Sequence, residues 1–265
     1  MTLIAILIAT LCAGIGSVWV AAVLSFGVLA RYTQHMLSLA AGALLATAFM
    51  HLLPEAFESQ SSAQELFGTL LVGLVFFFLL DKAELWHHGH EHHHGPHTDA
   101  HAGHGQHQHD HATPPRTGGW AVLTGDSVHA FGDGILIASA FMADMRLGFV
   151  AALAVLVHEV PHHMGDLVVL RGTSSNRRVA LLKVSLAGAV TALGGMVGYG
   201  LVDLLHDWLP YFLVVASSSF IYVALADLIP QLQTRLSARA TAAQIAWLLV
   251  GMGLVTLVSR VAHGH

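Results

Sequence analysis

Residues 147–171 read LGFVAALAVLVHEVPHHMGDLVVLR. The run is long enough to cross a bilayer, which takes roughly 20 helical residues. Yet its middle holds five ionisable side chains: His158, Glu159, His162, His163 and Asp166. Each such group in hydrocarbon costs roughly 2.5–3.5 kcal/mol even on lenient insertion scales. A segment this apolar keeps them only if something compensates them. The spacing indicates what. His158 and His162 stand four apart and Asp166 extends the stripe by a turn, so the three share a helical face. Glu159 and His163 form a parallel row one residue round.

The segment before it, 119–143, carries His129-Ala-Phe-Gly-Asp133-Gly134. His129 and Asp133 are again four apart, on one face. Counting 1.5 Å per residue, His129 lies about 15 Å from the inner end of its helix and His158 about 17 Å from the outer end of its own. Both fall near the middle of a hydrocarbon core about 30 Å thick. Imidazole nitrogens and carboxylate oxygens facing each other there suit Zn2+ or another first-row divalent ion. Pro161 leaves the Val157 carbonyl without its usual helical partner, which membranes tolerate beside a neighbour or a water-filled cavity. Gly132 and Gly134 are expected to let the facing helix approach closely.

Working outward, the rest of the chain has the same solvent. Its 265 residues are 55% hydrophobic and 10% charged, with mean hydropathy +0.65. Soluble domains carry about 25% charged residues, so there is too little charge here to cover a water-facing surface. Apolar segments near 3–30, 36–57, 66–85, 119–143, 147–171, 180–204, 209–231 and 238–262 predict an all-α membrane protein of eight transmembrane helices, in a single domain over 1–265. The first segment lacks a positive n-region and is read as a span, not a signal peptide. With the N-terminus outside, the inner ends hold Arg31, Lys82, Arg116, Arg171, Arg177, Arg178, Lys183, Arg235 and Arg239, and the outer ends only Arg146 and Arg260. The positive-inside bias therefore predicts that both termini lie outside the cell membrane.

Between the third and fourth segments, roughly 86–118, the pattern breaks. From His87 to His111 there are 12 histidines in 25 residues, mixed with Gly, Asp, Gln and Pro. Such a stretch cannot bury a core and is expected to be disordered. Its ligand density implies loose metal binding, as a buffer on the inner face or a regulatory sensor. The single cysteine, Cys12, excludes an internal disulfide and a thiolate metal site. A net charge of −5 leaves no basic patch for nucleic acid. A lesser cluster, His51-Leu-Leu-Pro54-Glu55, sits in the outer half of the second segment, where it would line the way in or join the main site. Asp227, before Pro230, is isolated near an inner helix end and is read as structural.

These strings resemble the ZIP family of zinc- and iron-regulated transport proteins. The likeness rests on His129-Ala-Phe-Gly-Asp133-Gly134, on His158-Glu159-Val-Pro161-His162 with Gly165-Asp166, and, in support, on His51-Leu-Leu-Pro54-Glu55 and Phe220 to Asp227 with Pro230. The eight-span layout and the His-rich loop match as well. The resemblance implies a bundle in which helices one to three and six to eight are inverted repeats around helices four and five. It implies uptake of a divalent metal into the cytoplasm, homodimers, and a primary site of His129, Asp133 and His162, with His158 and Glu159 alongside. Two positions depart from the family pattern: Ala130 stands where Asn is usual, and His163 where many members have Glu. Both usual residues are associated with a second, adjacent metal position. The extra imidazole favours Zn2+ over Mn2+, with Fe2+ and Cd2+ as further cargo.

The competing function is an intramembrane zinc protease, since His158-Glu159-Val-Pro161-His162 fits H-E-x-x-H with Glu as general base. Pro161 inside the motif, the lack of a further string for a third ligand, and the unused His129/Asp133 pair count against it. A cation-diffusion exporter would have six spans and a soluble C-terminal domain. No G-x-x-x-x-G-K-[ST] string supports a P-loop pump.

Overall fold

The computed structural model describes residues 1–25, 33–89, 118–173, 176–232 and 237–263. Described residues form eight long helices. α1 comprises Thr2–Leu11, a π-helical turn at Cys12–Gly16 and Ser17–Ser25; α2 comprises Thr33–Thr47, a π-helical turn at Ala48–Leu52 and Leu53–Phe57. There follow α3 (Ala63–Gly89), α4 (Gly118–Ala143), α5 (Met145–Thr173), α6 (Arg177–Leu204), α7 (Leu209–Leu232) and α8 (Ala238–His263). Each corresponds to one of the expected apolar segments. α3 runs on to Gly89, so the start of the His-rich stretch at His87 and His88 is helical rather than loop. The expectation for residues 90–117 lies outside the described residues, as do Arg31, Arg116, Arg235 and the side chain of Asp227.

Local chemistry sets the helix ends. Ser62 and Glu65 cap α3 reciprocally: each backbone amide donates to the other's side chain, both at 3.2 Å. Asp144 is the sole residue between α4 and α5, and its Oδ1 accepts from the amides of Arg146 at 2.8 Å and Leu147 at 3.2 Å. That turn makes α4 and α5 antiparallel neighbours. The π turn in α2 lies just before Pro54, which lacks the amide that would bond the Met50 carbonyl. A wider turn, closing on the amide five residues on, accommodates the loss.

α5 is the central helix. Of its apolar span, 72% is buried, against 11% for α3 and for α8. It packs on α4, α1 and α2, while α3 lies on α7 and α8 on α2. Exchanging α1–α3 with α6–α8 and α4 with α5 turns the α3–α7 pair into α8–α2 and the α1–α5 pair into α6–α4, as an inverted repeat requires. The outer faces present apolar side chains such as Phe67, Leu71, Val75 and Phe76 on α3 and Ile245, Leu249 and Leu257 on α8, a surface suited to lipid. Among the described residues, seven helices are long and apolar enough to cross a membrane on their own. The helix outside that set is α4, which carries Asp126, His129 and Asp133 and is packed among α6, α5 and α7.

A Cβ on Gly134 would collide with the Thr191 carbonyl of α6, and one on Gly194 with the Phe131 carbonyl of α4. The two backbones touch there, so the close approach expected of Gly134 exists but is made to α6. Gly132 has open space beside it and takes no part. Two apolar cores bracket this level. One gathers Leu136, Ile137, Ala151 and Val155 with residues of α1, α2 and α7. The other gathers Val18, Leu123, Val160, Met164 and Leu167 with residues of α6. Polar residues of α4 and α5 lie between them in the chain, at 126–133 and 158–163.

Candidate metal centre

His129 Nε2 lies 3.4 Å from His158 Nε2, 3.5 Å from Glu159 Oε1 and 3.8 Å from Asp133 Oδ2. His158 Nε2 lies 3.4 Å from Asp133 Oδ2 and 3.2 Å from Glu159 Oε1. Four potential ligand atoms thus converge from two adjacent helices, all within 4.8 Å of one another. A tetrahedron with metal–ligand bonds of about 2.0–2.1 Å has edges of about 3.4 Å. The spacing of these atoms is that of a zinc-sized ion's first shell.

Tautomers agree with this geometry. His158 Nδ1 is 3.3 Å from the Ala154 carbonyl, to which only an N–H can donate. In the neutral ring Nε2 then carries the lone pair and points it at the carboxylates. A backbone carbonyl holding the far nitrogen is the usual way in which a ligating histidine is oriented. Asp133, His158 and Glu159 are 2%, 1% and 2% exposed, and Asp133 Oδ2 and Glu159 Oε1 are buried without a hydrogen bond. Buried carboxylate oxygens left in this way are costly unless a cation joins them. His129 is different: a third of its side chain is exposed, which gives the cluster an open side.

The expected residues divide into four groups. His129, Asp133, His158 and Glu159 come together. The His162 ring stands beside them, 6.0 Å from His129 and 5.9 Å from His158 between centroids, but it is exposed and outside the set of converging atoms. Asp166, a turn further along the same stripe, is half-buried and outside it too. His163, in the other row, turns the opposite way and is fully buried, with Nε2 3.2 Å from Glu159 Oε2 and 3.7 Å from Asp126 Oδ1. His51 and Glu55 do not join. His51 belongs to the π turn of α2, and Glu55 is near the charges of Glu58 and Asp144, at the level of the α4–α5 turn.

Two residues escaped the sequence reading. Asp126 is three residues before His129, hence on its face, and its carboxylate in an apolar segment was the available signal. Ser17 of α1, whose Oγ is 3.0 Å from His163 Nδ1, gave none: a serine among apolar residues is ordinary in a membrane helix.

Comparison with known proteins follows the same line. The family model described as ZIP zinc transporter matches residues 1–259. Zinc transporter ZIP4 of Homo sapiens is 35% identical over 136 residues, which are 51% of this chain and 20% of that protein. Zinc transporter foi of Drosophila melanogaster is 32% identical over 153 residues, covering 56% and 21%. Zinc transporter ZIP13 of Pongo abelii is 26% identical over 249 residues, covering 87% and 68%. The matched part thus spans about a fifth of the human ZIP4 and fruit-fly proteins. A hydrolase reading of H-E-x-x-H gains no support from these relatives. A whole-chain match, an all-helical bundle and a His/carboxylate cluster at its centre lead to one conclusion: the chain belongs to the ZIP zinc transporter family.

Proposed function

We propose that this chain carries Zn2+ into the cytoplasm through the cluster of His129, Asp133, His158 and Glu159, with His162 beside it. The observation that carries the reading is the near-tetrahedral spacing of four ligand atoms on α4 and α5, three of their residues buried. A hydrated ion reaches the open side of the cluster at His129, past Glu55 and His51. The four side chains then replace its water shell. Nitrogen donors set the preference: two imidazoles with two carboxylates suit Zn2+ and Cd2+, then Fe2+, ahead of the harder Mn2+. A displacement of α4 and α5 against the surrounding helices opens the site to the other side, as alternating access requires.

In this reading both termini are outside the cell membrane, residues 1–265 form one transport domain, and the His-rich segment faces the cytoplasm as a metal buffer. Two copies associate as a homodimer. Purified chain in proteoliposomes should take up Zn2+ and Cd2+ faster than Fe2+ and much faster than Mn2+, with no cleavage of added peptide. Equal rates for all four ions would remove the cluster as the selective element, and peptide cleavage without flux would replace transport by hydrolysis.

A further inference from the structure

Glycines in this bundle serve mostly where helices touch. A Cβ on Gly14 would meet the Gly188 carbonyl, one on Gly42 the Leu248 carbonyl and one on Gly251 the Leu39 carbonyl, as at Gly134 and Gly194. Small residues in membrane helices supply close approach of this kind. Gly132 and Gly165 differ: a Cβ on either would meet no neighbouring atom within 4 Å. Glycine weakens a helix relative to alanine, and packing accounts for neither residue. Gly68, Gly200 and Gly253 are uncrowded too, but they lie on α3, α6 and α8, away from the metal cluster.

Gly132 and Gly165 belong to the two helices that build the cluster. Gly132 is three residues from His129, and Gly165 is three from His162 and seven from His158. Each therefore shares the face of the ligands beside it. Those faces are open at this level. A third of the His129 side chain is exposed, Gly132 is half-buried, and His162 and Gly165 are exposed. Toward the α4–α5 turn at Asp144 the same faces close: Leu136 and Ala140 on α4, and Val155 and Ala151 on α5, are buried in the first apolar core. The open space thus begins at the cluster and continues the other way, toward the Gly118 end of α4 and the Thr173 end of α5.

We propose that Gly132 and Gly165 set the width of the ion's passage between the metal cluster and the Thr173 end of α5, by leaving out the side chains that would fill it. An ion leaving its ligands regains water, and a hydrated ion needs more room than the bare ion held among them. Passages select by diameter and by the groups that line them. Here imidazoles at His129 and His162 alternate with bare backbone at Gly132 and Gly165. The role in passage rests on the transport reading above; that the two positions face water does not. With the His-rich segment in the cytoplasm, this stretch is the way out. Arrival past Glu55 and His51 then belongs to the other position of α4 and α5, in which the apolar closure around Leu136 and Val155 parts.

The test is Zn2+ flux through the full-length protein in proteoliposomes as the side chain at each position grows. Flux should fall about tenfold or more in Gly132→Leu and in Gly165→Leu, and less than about twofold in Gly132→Ala and Gly165→Ala. Zn2+ bound per chain in detergent should stay at the parental count in all four, a split that damage to the ligands would not give. Parental flux in either leucine variant, or a lower count of bound Zn2+, would overturn the proposal. If the leucine variants do not fold, cysteine access decides. In a Cys12→Ala background, Gly132→Cys and Gly165→Cys are expected to react with a charged, membrane-impermeant methanethiosulfonate added on the side of the His-rich segment. Gly253→Cys, at an exposed position of α8, is the unreactive comparison. Reaction no faster than at Gly253→Cys, or from the opposite side only, would refute the passage. Absent Zn2+ flux in the parent would sink the transport reading and leave the cysteines to show whether the glycines face water. Normal parental flux with unreactive cysteines would sink this inference alone.

Discussion

At the scale of single residues, the central feature is that two of the histidine rings, His158 and His163, are aimed by the far nitrogen. Ala154 holds His158 and Ser17 holds His163, so both present Nε2 toward carboxylates. Metal binding to such rings competes with protons. An imidazole in water titrates near pH 6.5, and binding requires the neutral form. As pH falls through that range affinity must drop, and it recovers as pH rises. Zn2+ uptake at limiting metal is therefore expected to fall about tenfold for each histidine that must deprotonate, between about pH 7.5 and about pH 5.5. A flux that does not change over that interval would disagree. His129, Asp133, His158 and Glu159 could be found in the sequence because i,i+4 spacing puts ligands on one face. What spacing cannot give is which of two adjacent rows on α5 faces α4. Rows one residue apart differ by about 100° in direction, and here both rows are used. His158 and Glu159 close on α4 at His129, His163 closes on Asp126, and His162 with Asp166 is left to the side.

At the scale of elements, apolar length located all eight helices, because lipid demands uninterrupted backbone hydrogen bonding and therefore long runs. The π turns were not legible. They depend on how a helix absorbs Pro54 in α2, or the glycine-rich Cys12–Gly16 in α1, and apolar patterning does not change across them. Beside the site, α4 crosses α6 where Gly134 and Gly194 bring backbone against backbone. Gly194→Leu is expected to force the two helices apart one turn from Asp133 and to lower stability by about 1–3 kcal/mol. A thermal melt in detergent checks this, with Gly200→Ala, which has open space at its Cβ, as the neutral comparison.

Across the whole molecule, burial is graded toward the chemistry. α5 is enclosed, α4 lies beside it, and α3 and α8 face outward. The polar residues of α4 and α5 therefore sit behind apolar helices that meet the lipid, and the cluster opens at His129. Among the described residues, the four ligand atoms converge from α4 and α5 alone. Deleting His87 to His111 should leave the initial rate of Zn2+ uptake within about twofold of the parent, on the expectation that a solvated, ligand-dense tract buffers metal without forming part of the path. Complete loss of uptake would place the segment on the route. The most direct test of the central claim, that α4 and α5 hold the transported ion between them, is Zn2+ flux into proteoliposomes carrying the His129→Ala, Asp133→Ala double variant at matched protein levels. The account predicts uptake lower by more than about tenfold, as loss of two ligands should exceed the 10–100-fold effect of losing a supporting group; flux at the parental rate would contradict it.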